Sequence, residues 1–213
     1  RGMERLNPPI PTLHPLLMNK SELRSVYLEK RRELSAPDIS EKSRQIADRF
    51  FAEFDLAAMK TIHCFISIPR LGEIDTFLIF ERLWTELPSI RTVAPRMNRT
   101  TGEIESLEFN CGSELVENHW GIREPAGDEI IDPTEIDAVL VPVLCYDRNG
   151  NRIGYGKGFY DRFLAECRPD CLKIGLSFFG PVDKIDDISQ FDVPIDTCIT
   201  PERIVSSTFR MPS

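Results

Sequence analysis

The segment from residue 136 to residue 147, "IDAVLVPVLCYD", limits the possible folds more than any other part of the chain. Its apolar residues are nearly consecutive and many are β-branched, which is typical of a strand that is buried on both faces of a parallel sheet. "TIHCFISI", "RTVAPRM", "LKIGLSFF" and "IDTCIT" predict further strands. Because parallel strands require crossover segments that are usually helical, we expect an α/β protein.

Helical periodicity separates these apolar runs. A first helix is predicted from Lys20 to Leu34, with an inner face of Leu23, Val26, Tyr27, Lys30 and Leu34. Three more helices are predicted: one that Ser35 caps and that runs through Phe54, one from about Thr76 to Leu87, and one in "FYDRFLAEC". A hairpin is expected around Asn98 to Gly102. We therefore predict a single α/β domain whose mostly parallel sheet is covered by helices on both faces.

The first 17 residues are rich in proline and have no helical or strand period. We treat residues 1–17 as a leader or tag outside the fold, and residues 18–213 as one domain. The chain has 213 residues, which is enough for one sizeable core.

Composition excludes several classes of protein. The chain has no apolar run of the roughly 18 to 20 residues that a membrane span needs, and its N-terminal residues do not resemble a signal peptide, so we expect a cytoplasmic protein. The net charge of −8 argues against a protein that coats nucleic acid. The six cysteines are dispersed without zinc spacing, which indicates reduced thiols. We expect a monomer with neither a nucleic-acid nor a membrane partner.

The loop "GNRIGYGKGFYDRF", residues 150–163, is the strongest candidate site. Glycines at 154, 156 and 158 let a phosphate approach the backbone amides, Arg152 and Lys157 add positive charge, and Asp161 could hold a phosphate-bound Mg²⁺. The spacing matches neither the Walker loop nor the dinucleotide fingerprint. The alternative is a flexible turn whose aromatic residues fill the core and whose Asp161 only stabilises a helix N-terminus.

The sequence "DRNGNRIGYGKGFYDRFL" resembles the signature of the 5-formyltetrahydrofolate cyclo-ligase family. "KSELR", "FISIPRLGEIDT", "APRM" and "WGIREP" are similar to further segments of that family, in the same order. The resemblance implies an ATP- and Mg²⁺-dependent conversion of 5-formyltetrahydrofolate to 5,10-methenyltetrahydrofolate, with release of ADP and phosphate through a phosphorylated formyl (imidate) intermediate. Such phosphoryl transfer needs positioning and charge neutralisation more than a protein nucleophile.

The resemblance also implies the roles of individual residues. The catalytic residues are Lys157 and Arg152. The ATP-binding residues are Lys20, Ser21, Glu22, Leu23, Arg24, Arg152, Ile153, Gly154, Tyr155, Gly156, Lys157, Gly158, Phe159 and Tyr160. The substrate-binding residues are Ile66, Glu73, Arg96 and Trp120, together with Tyr155, Gly156, Lys157, Gly158 and Phe159. The metal-binding residues are Asp161 and Asp192, with Asp196 as a rival to Asp192.

Two positions depart from the family pattern: Tyr155 stands where some relatives carry arginine, and Phe159 stands where tyrosine is frequent. His63 and His119 are expected to pack or to lie on the surface. Two other functions remain open at the level of the sequence. One is a sugar-phosphate isomerase or CoA-transferase-like enzyme, which would not consume ATP. The other is a relative that binds nucleotide or RNA without turnover.

Overall fold

The computed structural model describes residues 18–208. The predicted leader, residues 1–17, and the last five residues of the predicted domain lie outside the described residues. No helix within residues 18–208 is long and apolar enough to cross a membrane.

The described chain contains four α-helices, and local sequence determines where each begins. They are α1 (Lys20–Arg32), α2 (Ala36–Glu53), α3 (Phe77–Glu86) and α4 (Phe159–Glu166). Asn19 begins α1 with a capping box, in which its side chain accepts from the amide of Glu22 at 3.0 Å. Ser35 begins α2 in the same way with Asp38, as predicted. These caps satisfy amides that the helix itself leaves without partners.

Twelve strands are described. They are β1 (Thr61–Cys64), β2 (Arg91–Met97), β3 (Ile104–Glu108), β4 (Leu115–Glu117), β5 (Arg123–Pro125), β6 (Ile130–Ile131), β7 (Ala138–Pro142), β8 (Cys145–Tyr146), β9 (Arg152–Ile153), β10 (Leu172–Leu176), β11 (Thr197–Ile199) and β12 (Ile204–Ser206).

Eight strands form one sheet in the order β12-β11-β10-β7-β1-β2-β3-β6. The five strands from β11 to β2 are parallel, whereas β12, β3 and β6 pair antiparallel at the edges. The hairpin predicted around Asn98 to Gly102 joins β2 to β3. Two separate pairs, β4-β5 and β8-β9, stand outside this sheet.

Helices cover both faces of the sheet, so the predicted α/β architecture is confirmed. On one face Ile46 and Phe50 of α2 and Phe80 of α3 pack against Ile62 and Leu140 of the strands. On the other face the side chains of α4 pack with inward-facing strand residues. Burial of this apolar surface supplies the main driving force for folding. A third small cluster joins α1 to the β8-β9 pair through Leu23, Tyr27, Cys145 and Ile153.

The structure corrects two details of the sequence prediction. The run "IDAVLVPVLCYD" is not one strand, because the backbone changes partner after Val143: Val143 N still donates to Leu176 O of β10, whereas Leu144 N donates to Ile153 O of β9. The inner face of α1 is also rotated from the predicted one. Leu23, Tyr27 and Arg31 are buried, whereas Val26 and Lys30 are exposed.

Candidate active site

A cleft of about 740 Å³ opens at the carboxyl ends of β1 and β7. The chain continues from β1 to β2 on one side and from β7 to β10 on the other, so the cleft lies at the point where the strand order reverses. Open α/β sheets bind ligands at this position because neighbouring loops diverge there and leave a crevice. The volume also lies within the range of about 300–1,000 Å³ that is typical of ligand sites.

A buried aspartate positions the start of the glycine loop. Asp147 Oδ1 accepts from the amides of Asn149 at 2.9 Å and Asn151 at 3.0 Å, while Oδ2 accepts from the amide of Ile185. Gly150 completes this turn with φ +84°, where a Cβ would collide with the carbonyl of Ile195. The turn therefore enters β9 along one fixed path, and the glycines that follow are placed over the cleft.

Helix α1 holds the middle of the glycine loop. Arg24 Nε donates to the carbonyl of Gly154 at 2.9 Å. A Cβ at Gly156 would lie 2.8 Å from Arg24 Cζ, so the guanidinium packs directly against the bare backbone. Gly156 also has φ +84°, a conformation that side chains disfavour. This position therefore requires glycine for two reasons, namely the absence of a side chain and the ability to adopt a left-handed backbone conformation.

The loop ends at the N-terminus of α4. Gly158 is the N-cap, with φ +67°, and no side chain within residues 18–208 caps the helix. Phe159 and Tyr160 form the first turn, and their side chains line the cleft. Uncapped amides and the helix dipole together favour an anion at such a helix start.

Arg152 is committed to protein partners. Its side chain is only 6% exposed, its Nη2 donates to Asp161 Oδ1 at 2.8 Å, and its Nη1 donates to the carbonyl of Val193. Burial lowers the pKa of Arg152, and the Asp161 carboxylate opposes that shift. Val193 N also donates to Asp161 Oδ1, at 3.1 Å. Arg152 therefore fixes the orientation of Asp161 and joins α4 to the segment that contains Asp192.

The carboxylate of Asp192 pairs with Lys20 across the cleft, and its Oδ2 accepts from the amide of Ser189 at 2.7 Å. Burial acts to raise its pKa, but these hydrogen bonds outweigh burial and lower it. Asp196 does not line the cleft, because its Oδ2 accepts from Lys173 N at 2.8 Å in the sheet. Within residues 18–208, no group of three or more His, Cys, Asp or Glu side chains could hold a metal ion.

The opposite wall of the cleft contains a buried carboxylate. Glu73 is 6% exposed, its Oε2 accepts from the amide of Ile68 at 2.8 Å, and its Oε1 accepts from the Tyr155 hydroxyl. Burial raises the pKa of Glu73, against the opposing effects of Tyr155, Ile68 and Arg31. Ile66 and Phe65, which follow β1, line the same wall. A ligand with paired N–H donors would meet an acceptor here in an otherwise apolar surface.

Trp120 lies at the mouth of the cleft with 52% of its surface exposed. The turn between β4 and β5 presents it: Asn118 Oδ1 accepts from the Trp120 amide at 2.9 Å, and Gly121 has φ +70°. The side chain of Arg70 donates to the Trp120 carbonyl and so links this turn to the segment that follows β1. The exposed indole face is available for stacking on a planar ligand.

Tyr160 contributes a hydroxyl group without a protein partner. The residue lines the cleft, but its hydroxyl is buried and has no hydrogen-bond partner within the described part of the chain. Burial raises the pKa of Tyr160, so the hydroxyl keeps its proton at neutral pH. His63, whose ring lies 6.1 Å from that of Tyr160, is fully buried and has its pKa lowered to about 3 by burial. It is a neutral packing residue, as the sequence predicted.

A sequence model of the 5-formyltetrahydrofolate cyclo-ligase family matches residues 17–201. The chain belongs to this family. The 5-formyltetrahydrofolate cyclo-ligase of Escherichia coli strain K12 is 27% identical over 180 residues, which span 83% of this chain and 97% of that protein. That of Mycoplasma pneumoniae is 28% identical over 187 residues, with 87% and 100% covered. The cyclo-ligase family resemblance predicted from the motifs is therefore confirmed, and the protein is a ligase.

Solved structures agree with this assignment. The NMR structure of Aquifex aeolicus 5,10-methenyltetrahydrofolate synthetase superimposes with a TM-score of 0.77 at 26% identity, covering 92% of this chain and 96% of that one. The synthetase from Mycoplasma pneumoniae superimposes with a TM-score of 0.69 at 28% identity and covers 87% of this chain.

Most of the residues that the cyclo-ligase resemblance implied do line one cleft. They are Lys20, Arg24, Ile66, Glu73, Trp120, the continuous run 152–161, and Asp192. These residues belong to segments that are far apart in the sequence, and the arrangement of the strands in the sheet brings them together. Their roles stay predictions.

Four of the implied residues do not line the cleft. Leu23 is buried in the small cluster beneath α1, whereas Ser21 and Glu22 are exposed on the first turn of that helix. Arg96 turns away because side chains alternate along β2: Pro95 and Met97 line the cleft, while Arg96 binds Glu105 at 2.8 Å. For these four residues, the placement does not support direct ligand contact.

Sequence reasoning also missed part of the cleft. Met97 and Ile104 of the β2-β3 hairpin, and Ile122 and Arg123 near Trp120, line it. The period of two in "RTVAPRM" could have indicated Met97, since it places residues 95 and 97 on one face. Arg31, which contacts Tyr155, had no local signal, because a charged residue on a helix is usually solvated.

Proposed function

We propose that this chain converts 5-formyltetrahydrofolate to 5,10-methenyltetrahydrofolate in a reaction that consumes ATP and requires Mg²⁺. One observation carries the proposal: a single cleft has a cationic, glycine-rich end and an apolar end that contains the buried carboxylate of Glu73. The first end suits a triphosphate and the second suits a planar heterocycle with N–H donors. The relatives are named for the same pair of folates.

ATP is assigned to the glycine end. The backbone amides from Gly154 to Tyr160 would surround the phosphates, and Lys20 and Arg24 would approach them from α1. Lys157 is exposed on the loop, so its ammonium can follow the transferred phosphoryl group without breaking core packing. Arg152 acts indirectly, because its donors already bind Asp161 and Val193.

Asp161 and Asp192 fit a Mg²⁺ that enters with ATP. Asp161 accepts its hydrogen bonds through Oδ1 and Asp192 through Oδ2, so within residues 18–208 one oxygen of each carboxylate has no hydrogen-bond donor. Mg²⁺ usually takes one or two carboxylates and completes its shell with phosphate oxygens and water. The ion would supply neutralisation of phosphate charge at this end of the cleft.

The folate is assigned to the apolar end. Glu73 would accept from the amino and ring N–H groups of the pterin, Ile66 would pack on its face, and Trp120 would stack at the mouth. This arrangement directs the formyl group towards the glycine loop.

The chemical steps follow from this placement. The formyl oxygen attacks the terminal phosphorus of ATP, the bond from that phosphorus to the bridging oxygen breaks, and ADP leaves. The neighbouring ring-linking nitrogen of the folate then adds to the activated carbon and releases its proton, and phosphate departs with the former formyl oxygen. The protein forms no covalent bond, so the contribution of its residues is positioning and charge stabilisation.

A direct assay tests the proposal. Purified protein is mixed with 5-formyltetrahydrofolate, ATP and Mg²⁺, and both near-ultraviolet methenyl absorbance and ADP are recorded. We expect equal amounts of ADP and methenyl product, with neither formed when folate, ATP or Mg²⁺ is omitted. Methenyl formation without ADP would favour an enzyme that does not use ATP, and ligand binding without either product would favour a binding protein.

A further inference from the structure

The Tyr155 hydroxyl joins the two ends of the cleft. Arg31 Nη2 of α1 donates to this hydroxyl at 2.9 Å, and the hydroxyl donates in turn to Glu73 Oε1. The Arg31 guanidinium also lies 5.5 Å from the centre of the Tyr155 ring. One side chain of the glycine loop therefore contacts both the helix behind the loop and the carboxylate in the opposite wall. We name these three residues the Arg31–Tyr155–Glu73 chain.

The hydrogen bonds within the Arg31–Tyr155–Glu73 chain leave the Glu73 carboxylate able to bind a ligand. An ionised carboxylate has about four acceptor positions, two on each oxygen. The Tyr155 hydroxyl fills one on Oε1 and the Ile68 amide fills one on Oε2. One position remains on each oxygen, which is what a pair of adjacent N–H donors requires. A ligand can therefore bind Glu73 while Tyr155 stays in place.

The charge on Glu73 depends on its neighbours. Burial raises the pKa of this carboxyl group, whereas the Tyr155 hydroxyl, the Ile68 amide and the Arg31 charge favour the ionised form. Arg31 is itself buried, with 9% exposure, so little water stands between its charge and these partners. Removal of the Tyr155 hydroxyl leaves the carboxylate with fewer donors at the oxygen that faces the loop.

Helix α1 also binds the loop on both sides of Tyr155. Arg24 donates to the carbonyl of Gly154 and packs against Gly156, while Arg31 binds Tyr155 between them. A loop conformation that presents its amides to a phosphate is then the same conformation that lets Tyr155 reach Glu73. Two ligands that each select one conformation increase each other's affinity.

We propose that the Arg31–Tyr155–Glu73 chain couples the two substrate sites, so that a triphosphate on the glycine loop and a donor-bearing heterocycle at Glu73 each bind more tightly in the presence of the other. The proposal rests on the function proposed above. Arg31 is a positioning residue in this scheme, because it donates a hydrogen bond to Tyr155 and its positive charge favours the ionised form of Glu73.

The coupling is measured by calorimetry with Mg²⁺ and a β,γ-imido analogue of ATP, which binds without turnover. Its Kd is determined with and without saturating 5-formyltetrahydrofolate, and the ratio of the two values is the coupling factor. For the wild type we expect a factor between roughly 5 and 150, the usual range for coupled sites. For Tyr155→Phe, which keeps the ring and loses only the hydroxyl, we expect a factor within about twofold of one.

Two further variants separate coupling from general damage. Arg31→Met keeps the Tyr155–Glu73 bond but loses the donor behind it, so its coupling factor should lie between those of the wild type and Tyr155→Phe. Arg32→Met is the matched control, because Arg32 is the next residue of α1, is exposed and pairs only at the surface with Glu29 at 3.0 Å. It should keep the wild-type factor.

The outcomes distinguish this proposal from the proposed function. A wild type that turns over folate but shows a coupling factor of one overturns the coupling alone. So does a Tyr155→Phe variant that keeps the wild-type factor, or an Arg32→Met variant that loses it. If Tyr155→Phe does not fold, the Arg31→Met factor decides. A wild type that releases no ADP in response to folate overturns the proposed function, and the coupling with it.

Discussion

The substitution Gly156→Ala tests whether the glycine loop needs a backbone without side chains in order to bind a ligand. Gly156 has φ +84°, and the added Cβ would lie 2.8 Å from both Cζ and Nη2 of Arg24. The atoms that it meets belong to the end of a flexible side chain, so they can move away. The substitution should therefore displace Arg24 from the loop and leave the fold in place.

The effects on stability and on ligand affinity can be estimated separately. A left-handed alanine costs about 1–2 kcal/mol, which lowers the Tm of a domain of this size by about 2–8 °C. Displacement of Arg24 removes a charged hydrogen-bond donor from the loop, and such a bond contributes about 1.5–3 kcal/mol. We therefore expect ATP to bind about 10- to 150-fold more weakly.

Gly102→Ala is the matched control. Gly102 has φ +71° in the β2-β3 hairpin, and its Cβ would meet no atom within 4 Å. It carries the same backbone strain without a displaced arginine. Thermal unfolding and calorimetry with the imido analogue of ATP should show similar Tm losses for the two variants but weak ATP binding only for Gly156→Ala. Equal ATP affinities in the two variants would refute this interpretation of the loop.

Three further outcomes are expected. Lys157→Ala should lower turnover by at least about 100-fold. The Tm of this variant should change by no more than about 2 °C, because the Lys157 side chain is exposed. A turnover near that of the wild type would exclude a catalytic role for Lys157. Asp161→Asn should raise the Mg²⁺ concentration needed for half-maximal rate, and an unchanged Mg²⁺ dependence argues against a metal role. The same substitution should destabilise the fold by about 1–2 kcal/mol. This is less than the loss of a fully buried ion pair would cost, because the carboxylate is partly exposed. His63 has its pKa lowered to about 3, so between about pH 6.5 and 3 the unfolded chain binds a proton that the native protein excludes. Stability must then fall with falling pH by up to about 1.4 kcal/mol per pH unit from this residue, and urea unfolding of His63→Asn should show a shallower acid slope than wild type.

The sequence was sufficient for the order of elements because strong local signals agree with the tertiary structure. Ser35 and Asp38 predicted the start of α2, and "RTVAPRM" coincides with β2. The glycine loop was recognisable for the same reason, since closely spaced glycines with positive φ have few structural alternatives. Resemblance to the cyclo-ligase family then supplied the residues of the opposite wall, including Glu73.

Other features depended on packing that local patterns do not contain. The apolar run that ends at Tyr146 gives no sign that its backbone changes partner after Val143, because that change is determined by β9, which lies later in the sequence. Arg96 was assigned to the site by its neighbours in sequence, yet its side chain lies on the other side of the strand. Arg31 is buried and donates to Tyr155, which donates to Glu73, and both of these residues are distant from it in the sequence.

The attachment of α1 to the glycine loop and to Asp192 has a consequence for protein synthesis. The helix leaves the ribosome before these partners do: Arg31 and Arg24 bind partners 124 and 130 residues later, and Lys20 pairs with a residue 172 positions away. Contacts of such separation form late, because the intervening chain must first be ordered. A nascent polypeptide that stops before residue 192 therefore lacks a complete cleft.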